Sequence, residues 1–451
     1  MLKKFVQAFS KTPIRTFVTL YAGVTVLGAL FLWLPISQQG SNPLSFIDAL
    51  FVSVSGVSTT GLSTVVVAER LNRIGQLILL FLIQFGGIGL IMFVGFIWLT
   101  TGKTITLSER KLIATDQNQI RTSQVVKLIR DVLLILFVIE GIMFVIISVY
   151  LYLQGYFPLG ESIFQAFFLT ISLTANAGFD ITGDSLFRYL NDYPFQLMAM
   201  FLMFVGAVGF WPLVEVKDYF TAKFHKKPFH FSLFAKVLVT MHVALWIFGA
   251  ILIFGIDAST YFADKGILET IFTSVFMSLT TRNAGFSTMD VSQLSPATQL
   301  MMSALMFIGS SPNSAGGGIR TSTLILVIGA LLSFSQNRKQ IVLQKKAIKP
   351  ETVYKSLLVF IVAIFVIVTA SYLMLLVEPY GFTEIIFEVS SAFGTTGLSL
   401  GITADLHVFS KAVLIGVMFI GRIGIVSLLL VFTSSEDMNR IRYPEIDMIV
   451  G

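Results

Sequence analysis

The sequence predicts an all-α integral membrane protein: eight transmembrane helices in four repeats of helix, re-entrant helix with a glycine-bearing string, helix, set pseudo-fourfold around one axis. Three observations predict it. Of the 451 residues, 55% are hydrophobic and only 12% charged, about half the ~25% of a globular domain, so polar side chains cannot cover soluble domains. Apolar runs recur at the ~20-residue length that carries a helix across a ~30 Å hydrocarbon core. Four glycine-bearing strings recur at nearly equal spacing, the mark of an internal repeat.

Taken in order, the long apolar runs lie near 16–36, 74–100, 132–153, 195–216, 235–256, 298–335, 353–377 and 411–432. The first follows Lys3, Lys4, Lys11 and Arg15 in the manner of a secretory signal, but it has the length of a span and no small-residue cleavage motif, so it reads as uncleaved. Four further stretches, 44–58, 161–174, 267–280 and 382–394, are too short to cross and read as re-entrant or interfacial helices. The amino tail, the loops 101–130, 217–236 and 336–355, and the carboxyl tail hold 23 of the 31 Lys and Arg. Such residues accumulate on the cytoplasmic side, so both termini are expected there. The other face receives Arg70, Arg73, Arg188, Lys265, Arg282 and Lys411 among acidic residues, leaving Arg320 and Arg422 within the membrane. An acidic outer face concentrates cations. The net charge of +6 therefore reflects orientation in a lipid bilayer, and no nucleic-acid partner is expected.

The strings are Val57-Ser58-Thr59-Thr60-Gly61-Leu62, Thr174-Ala175-Asn176-Ala177-Gly178-Phe179, Thr281-Arg282-Asn283-Ala284-Gly285-Phe286 and Gly394-Thr395-Thr396-Gly397-Leu398. Their glycines are 117, 107 and 112 residues apart, and each string closes one of the short apolar helices. A second glycine cluster follows: Gly86 and Gly89, Gly206 and Gly209, Gly309, then Gly421 and Gly424. The repeats divide the chain at 1–115, 116–232, 233–350 and 351–451. A single string is a turn after a buried helix, but irregular backbone at membrane depth survives only inside protein or along a water-filled path. Four equivalent strings meeting at one axis make a ring of carbonyl oxygens able to replace the hydration shell of a potassium ion. Glycine lets consecutive carbonyls point the same way, and no carboxylate lies within the strings.

The run 298–335 is broken by Gly309-Ser310-Ser311-Pro312-Asn313-Ser314-Ala315-Gly316-Gly317-Gly318-Ile319-Arg320. Pro removes a helical donor, and each Gly costs ~1 kcal/mol of helix propensity. The helix unwinds here, either as a packing kink or as a flexible segment lining the ion path. A phosphate-binding loop is excluded by the lack of Gly-Lys-Ser/Thr and of a preceding strand. Arg422 is costly at membrane depth and must face the interior, as a structural partner or in a cavity. Glu140, in the third span, reads as an interhelical hydrogen bond before a proton relay.

These strings resemble those of the Trk/Ktr/HKT superfamily of cation transporters and, within it, the KtrB-like membrane subunits of bacterial Ktr potassium-uptake systems. The resemblance runs from Leu34-Pro35 to Tyr443-Pro444-Glu445. It implies a selectivity filter at Thr59, Thr60, Gly61, Asn176, Ala177, Gly178, Asn283, Ala284, Gly285, Thr395, Thr396 and Gly397, holding K+ by backbone carbonyls around one pore. Gly61, rather than the serine that tends to accompany sodium transport, favours potassium. It also implies an intramembrane gate at Gly309 to Thr323, with Arg422 projecting under the filter. It implies residence in the bacterial plasma membrane, a homodimer with one pore per protomer, and a cytosolic ring of RCK/KTN subunits through which ATP and ADP act. Sodium coupling is a property of that family; no sodium site is legible in these residues.

No nucleotide-binding motif exists in this chain, so nucleotides act only through a partner, and no covalently bound cofactor is expected. The absence of cysteine excludes disulfides and thiolate metal sites, and the four histidines show no ligand spacing. Without paired carboxylates, a Ser-His grouping or a metal cluster in the spans, the sequence does not read as an enzyme. Inverted repeats of a secondary transporter are disfavoured because the repeats here run in parallel.

Overall fold

The structure, a computed structural model, describes residues 13–40, 43–89, 92, 93, 95, 110, 125–338, 340–343 and 345–432. The loop at 101–130 up to Gln124, apart from Arg110, and both tails, including Tyr443-Pro444-Glu445, lie outside the described residues.

Each of the four stretches read from sequence as a repeat, and called so below, opens with a long helix: α1 Pro13–Trp33, α4 Val125–Leu153, α8 Leu233–Ile256 and α12 Pro350–Leu375. Among the described residues these four are long and apolar enough to cross a membrane unbroken. Their outward faces carry exposed apolar side chains such as Phe31, Val145, Ile251 and Phe365, as contact with hydrocarbon requires. Shorter helices follow: α2 Phe46–Ser58, α5 Leu159–Thr174, α9 Ile267–Thr280 and α13 Phe382–Gly394. Their carboxyl-terminal halves are almost wholly buried. Each packs on the long helix of its own repeat.

The third helix of every repeat is interrupted. α3 Arg73–Ile88 stops at Gly89, with φ 97°. α6 Tyr193–Ala207 and α7 Phe210–Phe224 meet at Gly209 with a bend of 103°. α10 Pro296–Phe307 is separated from α11 Thr321–Ser335 by a loop, and α14 Val408–Ile423 from α15 Ile425–Phe432 by Gly424. This corrects the reading of 74–100, 195–216 and 411–432 as continuous spans; only the break within 298–335 was expected. The physical cause is the positive φ of Gly89, Gly209 and Gly424 (97°, 99° and 86°), a conformation outside the helical region. Among the described residues the all-α expectation is departed from by a hairpin of two-residue strands, Val342–Leu343 and Lys346–Ala347, and by an isolated bridge between Gln38 and Leu71.

The packing order is cyclic. α3 packs on α5, α6 on α9, α10 on α13 and α14 back on α2. The third helix of each repeat thus supports the short helix of the next, and the last supports the first. Starts are set by conventional caps: Ser45 for α2, Asn72 for α3, Asp192 for α6, Ser232 for α8 and Ser295 for α10 each accept from a backbone N–H of the first turn.

Candidate functional site

The four short helices end in the four strings, and the backbone alternates in hand through each. Thr59, Asn176, Asn283 and Thr395 have φ of 53°, 51°, 99° and 50°. Two residues on, Gly61, Gly178, Gly285 and Gly397 have φ of 93°, 66°, 77° and 97°, while the residue between keeps an ordinary φ. Uniform extended backbone points successive peptides to opposite sides; alternating the hand turns them toward one side. A β-branched threonine at positive φ is strained, a state that persists only when its surroundings over-determine it. Here Thr60 N–H donates to the Ser55 carbonyl (2.8 Å) and Gly61 N–H to Ser55 Oγ (3.0 Å), and Thr396 and Gly397 repeat both bonds on Ser391. String two repeats the backbone bond, Ala177 N–H donating to the Ser172 carbonyl at 2.8 Å, but in strings two and three the hydroxyl is used differently. Ser172 Oγ donates to the Phe179 carbonyl (2.7 Å) and Thr280 Oγ1 to the Phe286 carbonyl (2.6 Å).

The glycines meet. A Cβ placed on Gly61 would lie 2.6 Å from the Ala177 carbonyl oxygen, and one on Gly178 3.2 Å from that of Ala284. One on Gly285 would run into the Thr396 oxygen, and one on Gly397 into the Thr60 oxygen. Each glycine therefore abuts the carbonyl of another string in a closed four-membered cycle. The second glycines serve the same convergence: a side chain at Gly86, Gly206 or Gly421 would collide with the carbonyl of Val57, Thr174 or Phe393 at the end of its own repeat's short helix.

Beside this ring runs the loop from Gly309 to Arg320, largely buried. It is fastened to every other repeat. Ala315 carbonyl accepts from Thr59 Oγ1 (2.8 Å) in repeat one. Ser311 and Ala315 N–H donate to the Ala207 and Gly206 carbonyls (3.2 and 3.1 Å), and Phe210 N–H to the Asn313 carbonyl (2.6 Å), at the repeat-two break. Pro312 meets Gly209 there. Gly317 N–H donates to Thr395 Oγ1 (2.7 Å), and Gly318 N–H to the Gly421 carbonyl (3.3 Å), in repeat four. Ser310 and Ser314 share a hydroxyl bond of 2.5 Å. Gly316 sits against the Asn283 side chain, with no room for a Cβ. Arg422 joins strings, helices and loop, donating to Thr59 Oγ1 (3.2 Å) and to the Ala315 and Gly86 carbonyls.

Several side-chain contacts around the site were not read from the sequence, and one was. Arg320 reaches back into its own loop, to the Gly316 carbonyl and to Ser310 Oγ at 3.3 Å; its charge within an apolar run was the available signal. Asn283 uses its side chain as well as its backbone, donating to the Gly394 and Thr395 carbonyls at 2.5 and 2.7 Å. Arg282, expected among acidic residues on the outer face, is instead fully buried and donates to the Ile308 carbonyl at the head of the loop. It lies two residues past the end of α9 and one before Asn283, so its place is set by the string. Ser63, Asp180, Ser287 and Ser399, each two residues past a string glycine, accept from the N–H two residues on. Fully buried Glu388 on α13 accepts from Ser399 and from Thr403 Oγ1 (3.1 Å). Glu140 accepts from Gln84 Nε2 at 3.0 Å, an interhelical contact between α3 and α4.

The apolar helices around these buried strings are those of a multi-pass membrane protein. The family model of the cation transport protein TrkH matches residues 7–441, and the chain belongs to that family. More particularly, it is 43% identical to the Ktr system potassium uptake protein D of Bacillus subtilis over 99% of both chains. It is 32% identical to the Ktr system potassium uptake protein B of the same organism over 94% of each. The crystal structure of the potassium transporter TrkH from Vibrio parahaemolyticus shares the fold, at a TM-score of 0.71 and 19% identity, over 94% of this chain and 86% of that one. These relatives are ion transporters, not enzymes.

Proposed function

We propose that the chain is the potassium-translocating subunit of a Ktr-type uptake system. Eight membrane crossings in four parallel repeats surround one pore, both termini are cytoplasmic, and the four strings are its filter. Potassium enters from the acidic outer face, exchanges its water for the string carbonyls, passes the loop and Arg422, and reaches the cytoplasm. The membrane potential drives it inward at ~2.3 kcal/mol per charge per 100 mV. The observation that carries this reading is the closed cycle in which Gly61, Gly178, Gly285 and Gly397 each abut the carbonyl of another string.

The loop from Gly309 to Gly318, with Arg422, is the gate. Its bonds to the breaks in repeats two and four support a device that opens only when several helices shift together. The protein works as a homodimer on a cytosolic RCK/KTN ring that reads ATP and ADP. Reconstituted protein, with and without such a subunit, should take up Rb+ in competition with K+ more strongly than with Na+. Equal competition by Na+ would replace this reading with a sodium or non-selective transporter of the same fold, and no uptake would refute it.

A further inference from the structure

The bent half of repeat two carries a surface that neither the strings nor the loop uses. One face of α7 is fastened to the start of α4: Lys217 pairs with the buried Asp131 at 2.7 Å and Asp218 with Lys127 at 3.0 Å. Glu215 closes the same face, accepting from Trp211 Nε1 (2.7 Å) and from the Ser232 N–H (2.8 Å). Another face presents Val216, Phe220 and Phe224, spaced i, i+4, i+8 and exposed by 41%, 62% and 86%. Lys223, Lys226 and Lys227 are exposed alongside and just beyond it, and none is in an ion pair among the described residues.

Three features together select a lipid partner. The 103° bend turns α7 away from the direction of α6, and its ion pairs hold it where α4, a spanning helix, begins. An amphipathic helix in that position lies in the plane of the leaflet. Phenylalanine stripes of increasing exposure suit the acyl boundary, and the lysines beside them suit anionic headgroups. A protein interface would share the aromatic stripe but is depleted in lysine, whereas three exposed lysines flank this one.

We propose that α7 and the Lys226-Lys227 turn form an interfacial helix that binds the anionic phospholipid of the leaflet where α4 begins. Phe220 and Phe224 enter the acyl boundary, and Lys223, Lys226 and Lys227 hold the phosphates. The test uses the full-length protein in detergent, titrated with phosphatidylglycerol or phosphatidylcholine, with the rise in unfolding temperature read as binding. The wild type should prefer phosphatidylglycerol, and high salt should abolish the preference. The K223Q/K226Q/K227Q variant should weaken phosphatidylglycerol binding on the order of 100-fold and leave phosphatidylcholine binding unchanged, whereas F220S/F224S should weaken both. All five positions are exposed, so both variants should fold. Equal binding of the two lipids by the wild type would overturn the proposal. So would a phosphatidylglycerol preference intact in the lysine variant, including one that loses only a cytosolic protein partner.

Discussion

Replacing Gly61 with serine tests the ring at the point where its geometry is most legible. At φ 93° an L-residue in left-handed backbone costs ~1–2 kcal/mol. The new Cβ would stand 2.6 Å from the Ala177 oxygen and 2.8 Å from the Gly178 Cα, where ordinary contact begins at 3.4 Å. Both neighbours are backbone, so one of the two strings must retreat by about 0.8 Å, and overpacking of this kind costs ~1–3 kcal/mol. Against that total of ~2–5 kcal/mol stand the two bonds that Ser55 makes to Thr60 and Gly61, worth together ~1–3 kcal/mol. The string should therefore move rather than hold, and the displacement exceeds the difference in radius between K+ and Na+. In proteoliposomes Gly61→Ser should lose most of its preference for K+ over Na+ as a competitor of Rb+ uptake. Gly416→Ala, on α14 with nothing within 4 Å of its Cβ, should keep wild-type uptake, selectivity and melting temperature. Wild-type selectivity in Gly61→Ser would refute both the ring and the role assigned to it.

One deletion and three substitutions test other contacts. Deleting Ser311 to Gly317 should raise Rb+ flux several-fold in liposomes; unchanged flux from folded protein would reject the gate. Arg422→Gln, which removes a charge and weakens the ties to Thr59, Ala315 and Gly86, should raise leak and shift apparent potassium affinity, and wild-type kinetics would contradict it. Asn283→Leu strips donors from two buried carbonyls of repeat four at ~1–3 kcal/mol each, so thermal unfolding should fall by several degrees and Na+ competition should rise. Glu388→Val frees Ser399 and Thr403; relaxed selectivity with Gln rescuing function would support a positioning role, and equal behaviour of Val and Gln would not.

The strings could be read from sequence because their chemistry is local: a glycine preceded by two small or hydroxyl residues at the end of an apolar helix needs no knowledge of its partners. Their alternating hand was legible only in part, since nothing in Thr59 or Thr395 announces a positive φ for a β-branched residue. Gly89, Gly209 and Gly424 were visible as a second cluster, yet the apolar runs around them read as continuous spans. The apolar character continues through each break, and hydropathy cannot separate a straight helix from a bent one. Arg282 was misread for a related reason. Loop charge assigns a side of the membrane, but a single arginine in a string can be drawn inward when one carbonyl, here that of Ile308, lies within its reach.

The same comparison explains why the loop belongs to one repeat only. Strings one and four share the Ser55 and Ser391 bonds, strings two and three share hydroxyl bonds to the carbonyl after the glycine, and all four share the turn that follows. A ring that binds one ion gains from such equivalence, because every carbonyl must meet the same sphere. If the loop is the gate proposed above, it cannot be fourfold: four copies of a loop this size would compete for one axis. Among the described residues the segment from Gly309 to Arg320 stands in repeat three in place of a single-glycine break; repeats two and four receive it at their own breaks, and repeat one meets it through Thr59. The Gly206 and Gly421 carbonyls accept its N–H groups, and the Gly86 carbonyl takes Arg422. Those carbonyls are available because the helices stop there, so the glycines that interrupt the third helices also supply the sockets for the loop. Closing one such break with a helix former, as in Gly209→Ala, should release the Asn313 contact and raise flux, whereas an unchanged rate would separate the breaks from the gate.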